Sequence, residues 1–426
     1  MPKPSPQAGI LNRPPDHALF AALNLTAADP ATTAAAIERL RELVHKELRS
    51  QLDLTTPESP KEQPSAETGE LGFESGFDRY RLTITVGFAE TAYVKLGVIN
   101  RPADLRPIDW AKLDDTPINP VQSDLMLQIC TNSLYIGEHV VRRVQEELHD
   151  VVTVAWVLPG SQRHTSRRGN VSRGDGRALI GFLDGTSNLK PSNEPADYRL
   201  VFVNPSDMGD YPPKQPDIPP GQPSPYGGTP QQVPTFPPDL HDPPQPGSEP
   251  AWTEEGTYMV VRASVVDMST WDAATLGDQE HSIGRRKVTG NPLGTNPDVA
   301  TVPIPEPDFS IDPDGATTCL DAHIRKSNPC GPGDELRRIF RRGFPLILPH
   351  ETGLKLGLAF VCFGRTITTQ FEFITRAWTT NPDFPRPSAG KDNFRRFETV
   401  LGGGYFFVPA LAKASQPWSW IVPEAG

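Results

Sequence analysis

A chain of 426 residues, 37% hydrophobic and 22% charged, has the composition of a folded globular protein and exceeds the size that one core usually serves, so two domains are expected. Its net charge of −11 weighs against non-specific nucleic-acid binding, and no apolar stretch approaches the length of a membrane-spanning helix. The N-terminal run lacks the charged-then-apolar pattern of an export signal and the four cysteines show no CxxC spacing, so the expectation is a cytoplasmic protein with free thiols and neither nucleic acid nor membrane as partner.

In chain order, residues 17–25 are an apolar run suited to a strand. Residues 32–52 carry Ala36, Ile37, Leu40, Leu43 and Val44 at helical spacing. A polar stretch rich in Pro, Ser and Glu (55–74) precedes strand candidates at 80–88 and 124–131. Residues 134–148 form an amphipathic helix with Ile136, Val140, Val141, Val144 and Leu148 inward, and 151–158 is a further strand. The order β-α-β-β-α-β is that of a ferredoxin-like unit. The second half reads as strands at 198–203 and 257–266, separated by residues 204–250. That segment is dominated by Pro, Gly, Asp and Gln and is expected to be an extended, solvated loop. A strand at 354–363, a helix at 366–376 and a strand at 404–408 make a second ferredoxin-like unit plausible. Two such units would leave a cleft large enough for a cofactor.

Three places carry candidate chemistry. In 181–188, Gly-Phe-Leu-Asp-Gly-Thr-Ser-Asn, Asp184 lies between an apolar run and a Gly-Thr turn. Half-burial there would raise its pKa and suit it to proton transfer near neutrality, although Asp-Gly is also an ordinary turn dipeptide. His323 sits in a short helical segment stopped by Asn328-Pro329, with no second His or Cys at zinc-ligand spacing. A single His in that setting is more often a structural hydrogen-bonder. Arg341, in Arg338-Ile-Phe-Arg-Arg-Gly343, precedes an apolar stretch, where a guanidinium stays charged and needs an anionic partner. Arg337, Arg338 and Arg342 read as a solvated basic turn.

Taken together these segments resemble the dye-decolorising peroxidase family, haem peroxidases built from paired ferredoxin-like domains. The family's Gly-x-x-Asp-Gly motif matches Gly181, Asp184 and Gly185, extended by Thr186 and Asn188. Its proximal histidine segment matches Ala322-His323-Ile324-Arg325 with Asn328-Pro329, and its distal arginine segment matches 338–343. Gln279-Glu280 with Ile283-Gly284-Arg285, Gly357-Leu358-Ala359-Phe360 with Gln370-Phe-Glu-Phe-Ile374, and the opening Gln7-Ala-Gly-Ile-Leu11 agree as well. Two departures stand out: Cys330 occupies a position that is often arginine, and Gly364-Arg365 replaces a usual Gln-Arg pair.

The resemblance implies an α+β fold of two ferredoxin-like domains whose antiparallel sheets pack in a dimeric α+β barrel-like arrangement. It divides the chain into 1–195, ending in the Gly-x-x-Asp-Gly segment, and 196–426, with the insertion at 204–250 and haem in the C-terminal domain cleft. It implies one haem b per chain, with His323 on the iron, since one imidazole suffices to hold haem iron from one side. Gly185, Thr186, Ser187, Arg285, Arg325, Asn328, Leu358 and Phe360 complete the haem site, with the propionate contact at Cys330 either lost or supplied by Arg325 or Arg285. Asp184 and Arg341 are the expected catalytic pair. The partners implied are hydrogen peroxide and a reducing substrate such as a dye or phenol, oxidised through a ferryl haem. Glu372, a backbone carbonyl or a tail residue is the candidate acceptor for the second N–H of His323. The alternative function is that of the related deferrochelatase-like proteins that handle haem iron, against which the missing export signal weighs. A homo-oligomer is the analogy offered by the fold.

Overall fold

The computed structural model describes residues 4–53, 81–164, 176–207, 218–219, 221–229, 231–296, 298–300, 304–351, 353–413 and 416–420. The polar stretch expected at 55–74 lies outside them. The chain forms two compact units: Met1–Arg101, Ser123–Ser161 and Phe406–Gly426 make the first, and Pro102–Gln122 and Gln162–Tyr405 the second.

The first unit has the expected order: β1 (His17–Leu25), α1 (Pro30–Asp53), β2 (Thr83–Phe88), a short helix α2 (Glu90–Lys95), β3 (Leu125–Thr131), α3 (Leu134–Glu147) and β4 (Val152–Ser161). β1 is central, antiparallel to β3 on one side and β4 on the other, and β2 pairs with β3. The stripes predicted on the two long helices are buried: Ala36, Ile37, Leu40, Leu43 and Val44 on α1, Ile136, Val140, Val141 and Val144 on α3. Their burial is what holds helices of modest intrinsic propensity onto the sheet.

The second unit repeats the pattern around β5 (Thr257–Val266), β6 (Phe344–His350), β7 (Gly353–Gly364) and β8 (Glu398–Val408). β7 lies between β5 and β6, antiparallel to both, and β8 flanks β5 on its other side. Gly357 is required where β7 meets β5, because a Cβ there would stand 2.1 Å from the Ser264 carbonyl oxygen. After β7 the chain winds through two π-helical segments, Ile367–Glu372 and Ile374–Thr379, where an ordinary helix is expected over 366–376. Such wide turns are rare and cluster at functional sites.

Three expectations need correction. Residues 198–203 are not a strand: Pro195–Val201 is a helix with Pro at its first turn, a position for which proline is preset. Short apolar runs do not distinguish helix from strand. The boundary expected at residue 195 also fails, because the Gly-x-x-Asp-Gly segment belongs to the second unit and the chain end to the first. Pairing decides this rather than chain order. Phe407 pairs with Phe88 in the first unit, whereas Ile118 and Asn119 bond to Val400 and Leu401 in the second. Finally, the 204–250 insertion is not merely solvated. Its described part buries Tyr226, Phe236 and Leu240 against Phe373, Ala377, Trp378 and Phe384. Three large side chains in a Pro-rich segment are enough to fasten it, and the Arg376–Asp239 ion pair and the Asn381 amide on the Thr235 carbonyl fix it further.

The start of the π-helical stretch is tied to residues 102–122 by buried charge. The Asp104 carboxylate accepts from the amides of Ile367 (2.7 Å) and Thr368 (2.8 Å), and Arg106 bridges Asp104 and Glu372. Beside it Tyr258 accepts from the Asp104 amide and donates to Glu249. No disulfide joins the four cysteines: Cys130 and Cys362 are buried in strands, Cys319 is partly buried and Cys330 exposed.

Burial pushes the Glu249 carboxyl up from 4.5 to about 7, against the donation from Tyr258. The unfolded chain therefore ionises first, and stability that is complete below pH 4.5 is lost as pH rises through about 7. Urea unfolding across that window should show ΔG falling with pH, and Glu249→Gln should reduce the slope. A share will remain from Asp334, whose carboxyl burial also raises to about 7. An unchanged slope in the variant would remove Glu249 from this role.

Candidate active site

The second unit contains a cavity of about 310 Å³, within the range of small-molecule and cofactor pockets. It gathers residues from six separate places: 178–187, 262–290, Pro307, 323–328, 338–360 and 371–398. His323 and Asn328 line it, as do Asp184, Gly185, Thr186, Ser187, Arg285, Arg341, Leu358 and Phe360. Arg325 does not. Its guanidinium is buried among the carbonyls of Thr318 and Asp312 and lies over the Phe309 ring, so the haem contact considered for it is not made.

His323 opens the short helix α4 (His323–Ser327), and its ring lines the cavity with 36% of the side chain exposed. Nδ1 is 2.7 Å from Oδ2 of Asp392, and an ionised carboxylate can only accept, so Nδ1 carries a proton and, in the neutral ring, Nε2 is the nitrogen with the lone pair. Burial disfavours the imidazolium, but the Asp392 charge and hydrogen bond outweigh it and raise the His323 pKa. Asp392 is held by its other oxygen, which accepts from the Phe394 amide at 3.0 Å. Glu372, the acceptor considered from sequence, is instead committed to Arg106 and the Tyr405 hydroxyl. Asp392 escapes sequence reasoning because it lies 69 residues from His323, beyond any local spacing rule. Only its place before a short 3-10 turn (Asn393–Phe397) marks it, as a capping residue.

A second set of lining residues is built on 184–188. The Asn188 side chain pairs with the backbone of Arg341 in both directions: Nδ2 donates to the Arg341 carbonyl (2.9 Å) and Oδ1 accepts from its amide (3.0 Å). The Arg341 guanidinium returns to the same turn, donating to the Thr186 carbonyl at 2.6 Å. Burial pushes the Arg341 pKa down and the Asp184 carboxylate opposes this. Asp184 itself is exposed at the cavity lip rather than half-buried, with Oδ1 accepting from the Gly185 amide at 2.7 Å. Ser187, at φ +55°, presents its carbonyl to Arg338 and its hydroxyl to Arg285 and Glu306. Arg337 and Arg342 are buried and Arg338 lines the cavity, so this arginine run is not a solvated turn. Arg337 lies over the Phe373 ring, 3.2 Å from its centroid.

Arg285 shows what the cavity is suited to hold. Its guanidinium is buried, bonded to the Gly290 carbonyl and the Ser187 hydroxyl, with Nε lacking a partner. Burial pushes its pKa down to about 10, with Glu306 opposing. A buried cation without a bonded carboxylate is a site for an anion from the ligand. A neutral imidazole nitrogen, a buried arginine and an apolar wall of Leu358, Phe360, Phe371 and Ile374 fit an iron macrocycle with acidic side arms. Among the described residues no cluster of three or more His, Cys, Asp or Glu side chains is arranged to bind a bare metal ion, and no helix is long and apolar enough to cross a membrane.

Comparison with known proteins agrees with this chemistry. Residues 7–162 match the family model described as Dyp-type peroxidase, N-terminal, and residues 240–413 match Dyp-type peroxidase, C-terminal. The chain is 27% identical over 431 residues to a deferrochelatase of Yersinia pestis, covering 98% of this chain and 83% of the relative. It is 26% identical over 424 residues to that of Escherichia coli, covering 96% and 84%. Among solved structures, a DyP-type peroxidase from Streptomyces coelicolor aligns with a TM-score of 0.70 at 23% identity, over 99% of this chain and 95% of that one. One from Cellulomonas bogoriensis aligns at 0.65 and 25%, over 95% and 92%. Ferric DtpA from Streptomyces lividans aligns at 0.68 and 23%, over 97% and 94%. With both halves of the family matched in order along one chain, the protein belongs to the Dyp-type peroxidase family of haem-dependent oxidoreductases.

Proposed function

We propose that the cavity holds haem b, that Nε2 of His323 would be its iron ligand, and that Asp184 and Arg341 would act on hydrogen peroxide in the same cavity. The observation that carries this reading is the convergence of Asp184, Arg341 and an Asp392-oriented His323 on one cavity. Haem supplies an iron that binds peroxide and accepts its two oxidising equivalents. The polypeptide does the rest. The Asp392 hydrogen bond fixes the His323 tautomer and makes Nε2 a stronger donor. Arg285 meets a propionate with charge already in place.

Asp184 would take a proton from one oxygen of bound hydrogen peroxide and return it to the other, which would leave as water. Arg341 would face the negative charge that grows as the O–O bond lengthens, its backbone clamped by Asn188 and its guanidinium held by the Thr186 carbonyl. Leu358 and Phe360 keep the cavity wall apolar and limit bulk water. Dyes, phenols or similar one-electron donors then restore the resting enzyme.

A second reading is favoured by the curated relatives, several of which are deferrochelatases. It places the same haem-holding residues in the service of iron removal. Release of iron from bound haem, assayed beside peroxide-driven oxidation of a dye, separates the two: dye turnover without iron release is the outcome expected here.

Two substitutions test the residue roles. His323→Ala should abolish the native Soret spectrum of the reconstituted protein, and retention of that spectrum would remove the ligand assignment. Arg341→Leu should slow the first absorbance change after mixing with peroxide by roughly 10²–10³-fold, the usual effect of deleting one such donor. If that rate is untouched while Asp184→Asn abolishes it, Arg341 is a structural residue.

A further inference from the structure

We infer that Lys326 is a positioning residue for the iron-side histidine, acting through Asp392; the assignment rests on the reading of His323 as haem ligand. Lys326 lies on α4 three residues after His323, and its side chain has no solvent exposure. Burying an ammonium group is costly unless each proton finds an acceptor. Here each does. Nζ donates to the carbonyls of Asn381 (2.6 Å), Phe384 and Gly390 (2.7 Å), and it lies 5.5 Å from the centroid of the Phe384 ring. Among the described residues no carboxylate forms an ion pair with it. Its N–H groups are taken up by three carbonyls, all from one ten-residue loop.

That loop ends at the residue that matters. Only Lys391 separates Gly390 from Asp392, whose amide bonds to the Thr379 carbonyl at 2.8 Å, and the Gly390 amide bonds back to Pro382 at 2.9 Å. The loop is thus closed at its neck and pinned at its middle by Lys326. The result is a ring of contacts: His323, α4, Lys326, the Gly390 carbonyl, Asp392 and back to Nδ1 of His323. Lys326 fixes the distance between the helix that carries the histidine and the loop that carries its acceptor. Without it, Asp392 keeps its two main-chain bonds but loses the tie to α4.

The test is a double-mutant cycle on the haem-loaded protein, read by the ferric/ferrous midpoint potential and by the rate of haem loss to an excess of apomyoglobin. Asp392→Asn weakens the acceptor, so the potential should rise and haem loss should quicken by roughly 10-fold or more, as for other outer-shell partners. Lys326→Met should shift both readouts the same way, and in the Asp392→Asn background it should add nothing. Wild-type values for Lys326→Met, or fully additive effects in the double variant, would overturn the assignment while leaving the ligand reading intact. Wild-type values for Asp392→Asn would instead overturn the ligand reading, and this proposal with it. Should Lys326→Met fail to fold, Lys326→Gln, which keeps two N–H groups, carries the same comparison.

Discussion

The hydrogen bond between Asp392 and Nδ1 of His323 decides which imidazole nitrogen faces the cavity, and the surrounding elements are arranged to keep it in place. A carboxylate has two oxygens, and both are committed, one to the ring and one to the Phe394 amide. Its backbone is tied to Thr379, at the end of the π-helical stretch whose Phe371, Ile374, Thr375 and Thr379 also line the cavity. The wall and the histidine's partner are therefore set by one continuous piece of chain. The packing of Tyr226, Phe236 and Leu240 against Phe373, Ala377 and Trp378 supports that piece from its outer side.

Asp184 and Arg341 are held by a different device. Asn188 imitates a strand neighbour, using its amide group to pair with both backbone polar groups of Arg341. A side chain that forms two bonds to one residue fixes register as well as distance. The motif's length is used in full: Asp184 lines the cavity, and the turn runs on to Asn188, which places the Arg341 backbone. Gly284, at φ +90°, closes the preceding helix where any Cβ would meet Ile324 at 2.6 Å, and so lets Arg285 enter beside the α4 helix.

Much of this is legible in the sequence because it is local. The Asp184 turn, the helix stop at Asn328-Pro329 and the alternation of Leu358 and Phe360 are all written in runs of fewer than ten residues. What is not legible depends on distant partners. Asp392, Lys326 and the burial of Arg337 and Arg342 become visible only when segments far apart in the chain meet. The Pro-rich insertion misleads for a related reason. Its composition speaks of backbone stiffness and polarity, whereas its fate is set by a few aromatic side chains and the groove that receives them. The helix at 195–201 is concealed by an apolar run that fits either periodicity.

The cysteines bear on how such an enzyme endures its own substrate. Oxidation by peroxide proceeds through the thiolate, so a thiol that stays protonated is a poor target. Desolvation of the sulfur pushes Cys330 up to about 11 and raises Cys319 and Cys362 above their ordinary range. Cys330 is the instructive case, because it lies near Arg285 and Arg338, cations that alone would make it reactive, yet desolvation and the Glu306 and Asp334 charges prevail. Desolvation thus holds Cys319, Cys330 and Cys362 toward the protonated thiol, the form that peroxide oxidises poorly.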